Sequence, residues 1–266
     1  MIGRCMYVWK LAPVIAAEGS VSRIVDKAQR AQLAALWIKI AEGQSAYRNV
    51  EGANGKKMSE LVRRCHDKDI QVWGWHVPRC ASTNVASKEA RTVKKIASDF
   101  ELDGIIMDAE DGPKFFIGGK AEAEAYAKAM RSTAVAIDKP LAISSHDIPQ
   151  NFADWLPKFN KMASVADYNF PQVYYGSSPS VLNRLTRAEN ANSHVTIPFV
   201  PVGAGWIGGA GGCSSASACA ERAREFIRLV HERGYEGHSF WHWAGAPMAL
   251  WEVLNSTPSA PTSAVA

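Results

Sequence analysis

Asp108 and Glu110 close an apolar run, Asp103-Gly104-Ile105-Ile106-Met107-Asp108-Ala109-Glu110, which is followed by Asp111-Gly112-Pro113. The run reads as a buried strand. Side chains alternate along a strand, so two carboxylates two residues apart project to one side. Burying them is costly unless they are solvated, paired or used in chemistry, and their crowding tends to raise one pKa. A carboxyl held protonated near neutral pH is what a general acid requires. A purely structural alternative is that Asp111-Gly112-Pro113 simply opens the next helix, with Asp as its cap.

Other polar and aromatic residues fall at the ends of apolar runs in the same way. Lys39 and Glu42, then Gly43 and Tyr47, follow the run at 35–41; Trp73, Trp75 and His76 close the run at 71–77. Further on come Ser144-Ser145-His146-Asp147, then Asn169, Gln172, Tyr174 and Tyr175, and finally Trp241-His242-Trp243. Lys39 is suited to an ion pair with Glu42 or Glu110. A lone His76 or His242 equally suits a satisfied core histidine. The chain holds nine Trp. Aromatic rings at a cleft bind sugar faces, and bulky rings also fill cores.

These residues need a scaffold that brings run ends together. Eight apolar runs, at 5–11, 35–41, 71–77, 104–108, 140–145, 167–174, 195–202 and 237–243, have the length of strands. Helical patterns at 22–32, 57–67, 87–100, 120–137 and 216–233 lie between them, the last closed by Gly234. Eight strands mostly separated by helices predict an α/β fold, a single (β/α)8 barrel over 1–254, whose strand C-termini meet at one mouth. An open doubly wound sheet is the rival, but no GxGxxG follows the first run and no P-loop occurs. The Gly-rich segment 202–213 would lie at the mouth, as a flexible lid or as a source of amides for an anion or sugar. The Ser/Thr/Pro/Ala-rich residues 255–266 read as a flexible tail.

With 47% hydrophobic and 21% charged residues, the chain is globular rather than disordered. A net charge of +4 favours an anionic surface or polymer such as a cell wall. No Lys/Arg run marks a nucleic-acid partner. The five cysteines have irregular spacing and no CxxC pair, so no zinc site is expected. Cys213 and Cys219 share one loop and can form a local disulfide in an oxidising compartment; free thiols are the alternative. No signal peptide and no membrane-spanning run are apparent. A protein made in the cytoplasm that acts on a cell wall would then need release or delivery by another system.

The segment Asp103-Gly104-x-Ile106-x-Asp108-x-Glu110 resembles the DGxDxDxE strand of glycoside hydrolase family 18, the chitinases and related glucosaminidases, with Ile106 where that motif has its first inner Asp. Gln172-Val173-Tyr174-Tyr175-Gly176 is similar to that family's Tyr-bearing strand, and 237–243 to its closing aromatic strand. Trp37-Ile38-Lys39-Ile40-Ala41-Glu42-Gly43, Gly74-Trp75-His76-Val77 and Asp108-x-Glu110 resemble glycoside hydrolase family 25, the lysozymes of phages and bacteria. That family has an Asp on its first strand, where this chain has Met6-Tyr7-Val8-Trp9. The resemblance implies a barrel glycosidase (muramidase, or N-acetylglucosaminidase or chitinase-like) acting on an N-acetylated amino-sugar polymer, peptidoglycan first and chitin-like glycans second. Glu110 would be the general acid. Asp108 would orient the 2-acetamido group or stabilise charge at C1, and Tyr174 would hydrogen-bond the acetamido group. Lys39, Trp75, His76, Gln172, Trp241 and Trp243 would contact substrate. No metal or organic cofactor is implied. Asp147 and Asp167 are the next carboxylates if Glu110 needs another partner. The competing class is a non-catalytic glycan-binding or structural barrel, for instance in a phage or secretion particle.

Overall fold

The computed structural model describes residues 2–259. Its strands are β1 (Gly3–Val8), β2 (Ala35–Glu42), β3 (Ser45–Ala46), β4 (Gln71–Val77), β5 (Gly104–Asp108), β6 (Leu141–His146), β7 (Tyr168–Val173), β8 (Val202–Ala204) and β9 (Gly237–Trp241). The helices are α1 (Leu11–Glu18), α2 (Val21–Arg30), α3 (Gly52–His66), α4 (Thr83–Asp99), α5 (Lys120–Ala136), α6 (Leu156–Ala163), α7 (Val181–Ala191), α8 (Ala216–Glu232) and α9 (Met248–Ser256). Eight strands run parallel in the order β1-β9-β8-β7-β6-β5-β4-β2, and pairing of β1 with β2 closes the ring. The two-residue β3 returns antiparallel along the end of β2. The chain is thus a single (β/α)8 barrel.

Local chemistry accounts for the element starts. Ser20, Ser82, Ser180 and Ser215 each cap a helix by accepting a hydrogen bond from the amide three residues on. The strands are apolar on both faces, as parallel strands between a barrel interior and a helix layer must be. Ile105 and Met107 of β5 face the helices, whereas Ile106 faces the interior. That interior is aromatic: Tyr7, Trp37, Trp73, Trp75 and Phe170 fill it, with Trp37 and Phe170 stacked at 4.3 Å. At the opposite end of the barrel from the mouth, buried Arg4 donates to the carbonyls of Ala31, Leu254 and Pro258 and ties the end of α9 to β1.

Several boundaries differ from the sequence reading. The first strand stops at Val8, because Trp9 and Lys10 turn the chain into α1. The run at 195–202 contributes only a bridge at Phe199 before β8 begins at Val202. Pro198 and Pro201 lack the amide hydrogens a longer ladder needs. No helix starts at Asp111-Gly112-Pro113; α5 begins at Lys120, and Asp111 bridges to Phe116 instead. Helices α1, α6, α7 and α9 carry no counterpart among the expected patterns. Of the expected tail, 260–266 lie outside the described residues.

Candidate active site

Strand parity carries a column of side chains from the apolar interior to the mouth. On β5 the inward column is Ile106, Asp108 and then Glu110, just beyond the strand end. On β7 it is Phe170, Gln172 and Tyr174. The Gln172 amide nitrogen donates to Asp108 Oδ1 at 3.2 Å and to Glu110 Oε1 at 2.9 Å, so one amide clamps both carboxyls. Asp108 is 4% exposed and Glu110 is half-buried. Burial pushes the Asp108 carboxyl up to about 8, reinforced by the adjacent Glu110 charge and opposed by Ser144, Lys39 and Gln172. Burial likewise raises Glu110, opposed by Gln172 and Lys39. The pair therefore holds protons where an ordinary carboxyl would not.

Lys39 points inward from β2 and lies buried beside the pair, 4.6 Å from the Tyr47 ring centroid and 5.2 Å from that of Trp75. Its ammonium donates to Glu42 Oε2 at 2.8 Å, and Glu42 also pairs with Arg79. Of the two partners open to Lys39, the structure selects Glu42. Tyr174 is half-buried, with its ring 4.9 Å from Trp206 in an edge contact. Burial and the Glu110 charge hold its phenol well above the ordinary tyrosine range, so it is a hydrogen-bond donor at neutral pH. Trp241 is half-buried over the interior, 5.4 Å from Tyr7 and 5.6 Å from Trp75, and its peptide bond to His242 is cis.

Three expected substrate contacts are not brought to this mouth. Trp75 is 1% exposed, and its indole donates to the Trp37 carbonyl at 3.1 Å. It lies one layer down, supporting Trp241 rather than offering a face. His76 has the opposite parity to Trp75 and faces the helix layer, hydrogen-bonded to Tyr126 Oη at 2.7 Å and to the Gly43 carbonyl at 2.9 Å. Burial lowers its pKa to about 4, leaving a neutral structural histidine. Trp243 follows the strand into a short 3-10 turn, packs 4.6 Å from Trp251 and donates to Glu18 at 3.0 Å, outside the barrel. Both reserve carboxylates are also engaged elsewhere. Asp147 is salt-bridged to Arg184, and Asp167 accepts from Leu141 N at the start of β6.

The mouth holds groups that the residue pattern left unassigned. Tyr7 and Ser144 are buried and point at Asp108, where the Ser144 hydroxyl opposes the rise of both the Asp108 and the Tyr7 pKa. Inward parity from Cys5 and Ala142 was the signal that could have found them. His146 stacks on Phe152 at 4.2 Å, and its Nε2 accepts from the Asp111 amide at 3.0 Å, next to Glu110. Burial depresses its pKa, which keeps that acceptor free. The Gly-rich segment is a pinned loop closed by a parallel bridge between Ile207 and Cys213, rather than a loose lid. Cys213 N donates to Trp206 O at 2.8 Å, Gly208 N to Cys213 O at 2.8 Å and Gly176 N to Gly211 O at 3.0 Å. A Cys213–Cys219 disulfide joins its end to α8. Gly176 approaches Gly212 so closely that a Cβ would lie 2.2 Å from its carbonyl carbon. The loop thereby presses Trp206 against Tyr174. Among the described residues, no group of three or more His, Cys, Asp or Glu could hold a metal ion, and no helix is long and apolar enough to cross a membrane.

No family model matches this sequence, and no curated protein is detectably similar to it. Solved structures share the fold. A class V chitinase from Pseudomonas fluorescens Pf-5 superposes with a TM-score of 0.69 at 11% identity, over 96% of this chain and 99% of that one. A glycoside hydrolase family 18 N-acetylglucosaminidase from Paenibacillus barengoltzii gives 0.68 at 12% identity, over 96% and 99%. The Bacillus cereus spore cortex-lytic enzyme SleL gives 0.67 at 10% identity, over 95% of this chain and 73% of that one. At such identities the likeness is one of fold, and function must be argued from the site.

Proposed function

We propose that the chain is a glycoside hydrolase acting on an N-acetylated amino-sugar polymer, with peptidoglycan the first choice of substrate and chitin-like glycans the second. The observation that carries this reading is the Asp108–Glu110 pair, clamped by Gln172 at the mouth with both carboxyls biased toward protonation. Glu110, the more exposed of the two, protonates the glycosidic oxygen. Asp108 orients the substrate's 2-acetamido group, Tyr174 donates to that group, and Trp241 floors the sugar. The acetamido oxygen attacks C1 as the glycosidic C1–O bond breaks and the leaving sugar departs with the Glu110 proton; water, giving its proton back to Glu110, then attacks C1 and opens the resulting ring. Such substrate-assisted hydrolysis needs no carboxylate nucleophile at a fixed separation. That fits a mouth in which Ile106 occupies the next inward position on β5. The chitinase, N-acetylglucosaminidase and cortex-lytic enzyme that share the fold support the class of substrate.

Delivery to the cell wall by release or by another system remains part of the proposal, and the Cys213–Cys219 disulfide accords with an oxidising destination. A non-catalytic barrel that grips a cell-surface glycan is the second reading, favoured by one observation: Ile106 puts an apolar side chain at the inward position just below Asp108. Rates on N-acetylated and de-acetylated forms of the same glycan test the mechanism. Turnover should require the acetyl group; equal rates on both would refute substrate assistance.

A further inference from the structure

Trp9 and Lys10 stand at the mouth between β1 and α1, and the site described above does not use them. Trp9 is 38% exposed, although the barrel buries most of its other large aromatics. Its ring lies 6.4 Å from that of Trp241, tilted by 30°, so the two indoles continue one aromatic surface outward from the proposed sugar floor. Lys10 Nζ lies 4.3 Å from the Trp9 ring centroid and has no carboxylate within ion-pair distance among the described residues. The turn that presents both residues is rigid. Buried Asn49 donates to the Trp9 carbonyl and accepts from the Leu11 amide, each at 2.9 Å, so one side chain brackets Lys10. The same Asn49 amide donates to the Lys39 carbonyl at 2.9 Å, anchoring the turn to β2. His242 fills the corner between the two indoles, held neutral by burial and by the nearby Lys10 charge.

We propose that Trp9 and Lys10 form a second sugar position beside Trp241 that selects an amino sugar bearing a carboxylate. This rests on the glycosidase reading and deepens it toward the substrate. The C–H face of the sugar packs on the indole, and the carboxylate pairs with the ammonium. A neutral glycan makes only the first contact, so Lys10 sets specificity and Trp9 sets binding. The carboxylate has two possible sources in a cell-wall glycan: a lactyl ether on the sugar itself, or the peptide attached to it.

The test compares kcat/KM on three glycans of equal length: strands stripped of peptide with free lactyl carboxylates, peptide-bearing strands, and neutral chitin oligomers. Binding of each by calorimetry is measured alongside. Wild type should prefer a carboxylated glycan, and Lys10→Glu should lower the carboxylated-to-neutral ratio about 3–10-fold, chiefly through KM, with the preference weakening in high salt. Trp9→Ala should weaken all three by about 5–30-fold. The carboxylated glycan on which Lys10→Glu acts identifies the source. No preference in wild type, or a ratio unmoved by Lys10→Glu, overturns the proposal while leaving the glycosidase reading intact. Absence of turnover on every glycan would instead sink that reading, and calorimetry would then decide the Lys10 preference independently.

Discussion

Glu110→Gln isolates the proton that the proposed mechanism needs. Gln172 donates to Glu110 Oε1 at 2.9 Å, and an amide at position 110 can present an oxygen in the same place. The clamp on Asp108 then survives and the fold should be unaffected. What is lost is a transferable proton, which costs on the order of 10²–10⁴-fold in rate, or about 3–5 kcal/mol of barrel-mouth catalysis. A second signature follows from the coupling. The neighbouring Glu110 charge is one reason, after burial, why Asp108 is pushed up to about 8. A carboxyl whose folded pKa exceeds its unfolded value of about 3.9 adds stability below that value, and this is lost as pH rises toward the folded pKa. Wild type should therefore lose stability between pH 4 and 8, and Glu110→Gln should lose less, because Asp108 ionises more readily. The assay is reducing-sugar release from peptidoglycan and chitin oligomers, with glycan binding and melting curves at both ends of that pH range. Activity within a few-fold of wild type, with an unchanged melt, would clear Glu110 of the acid role. A wild type that binds but cleaves no glycan would favour the binding barrel.

Asp108→Asn and Tyr174→Phe should each weaken inhibition by an acetamido-mimicking thiazoline, and non-additively, because both contact one group; additive losses in a double-mutant cycle would separate their roles. Reduction of Cys213–Cys219, or Cys213→Ser with Cys219→Ser, opens a loop of sequence separation 6 and should cost about 2 kcal/mol in denaturant unfolding. Glycan KM should also rise, since the loop braces Trp206 against Tyr174; unchanged KM would show that the brace is dispensable. His146→Leu should lower kcat, because the imidazole that accepts from the Asp111 amide beside Glu110 is gone. In wild type, acidification through the depressed His146 pKa should produce the same loss, as a protonated Nε2 cannot accept; a pH–rate profile whose acid limb is identical in the two proteins would refute this.

The amino-acid sequence by itself determined the barrel and the catalytic candidates, because both are written in local periodicity. Alternating apolar runs and helical patterns specify eight parallel strands. Period-two alternation at the end of β5 places Asp108 and Glu110 on one side. The tertiary structure decided which face of each strand becomes the interior. Trp75 and His76 are neighbours with equal claims in sequence, yet closure buries one in the barrel core and the other against Tyr126. Trp243 leaves the mouth only because the chain turns after Trp241. Gln172 became the clamp through the lateral arrangement of β5, β6 and β7, which sets residues 62 and 64 positions apart within hydrogen-bond reach. Asn49 likewise reaches back 40 residues to fix the carbonyl of Trp9. Such contacts depend on register between distant segments, and no local pattern of residue types encodes that register.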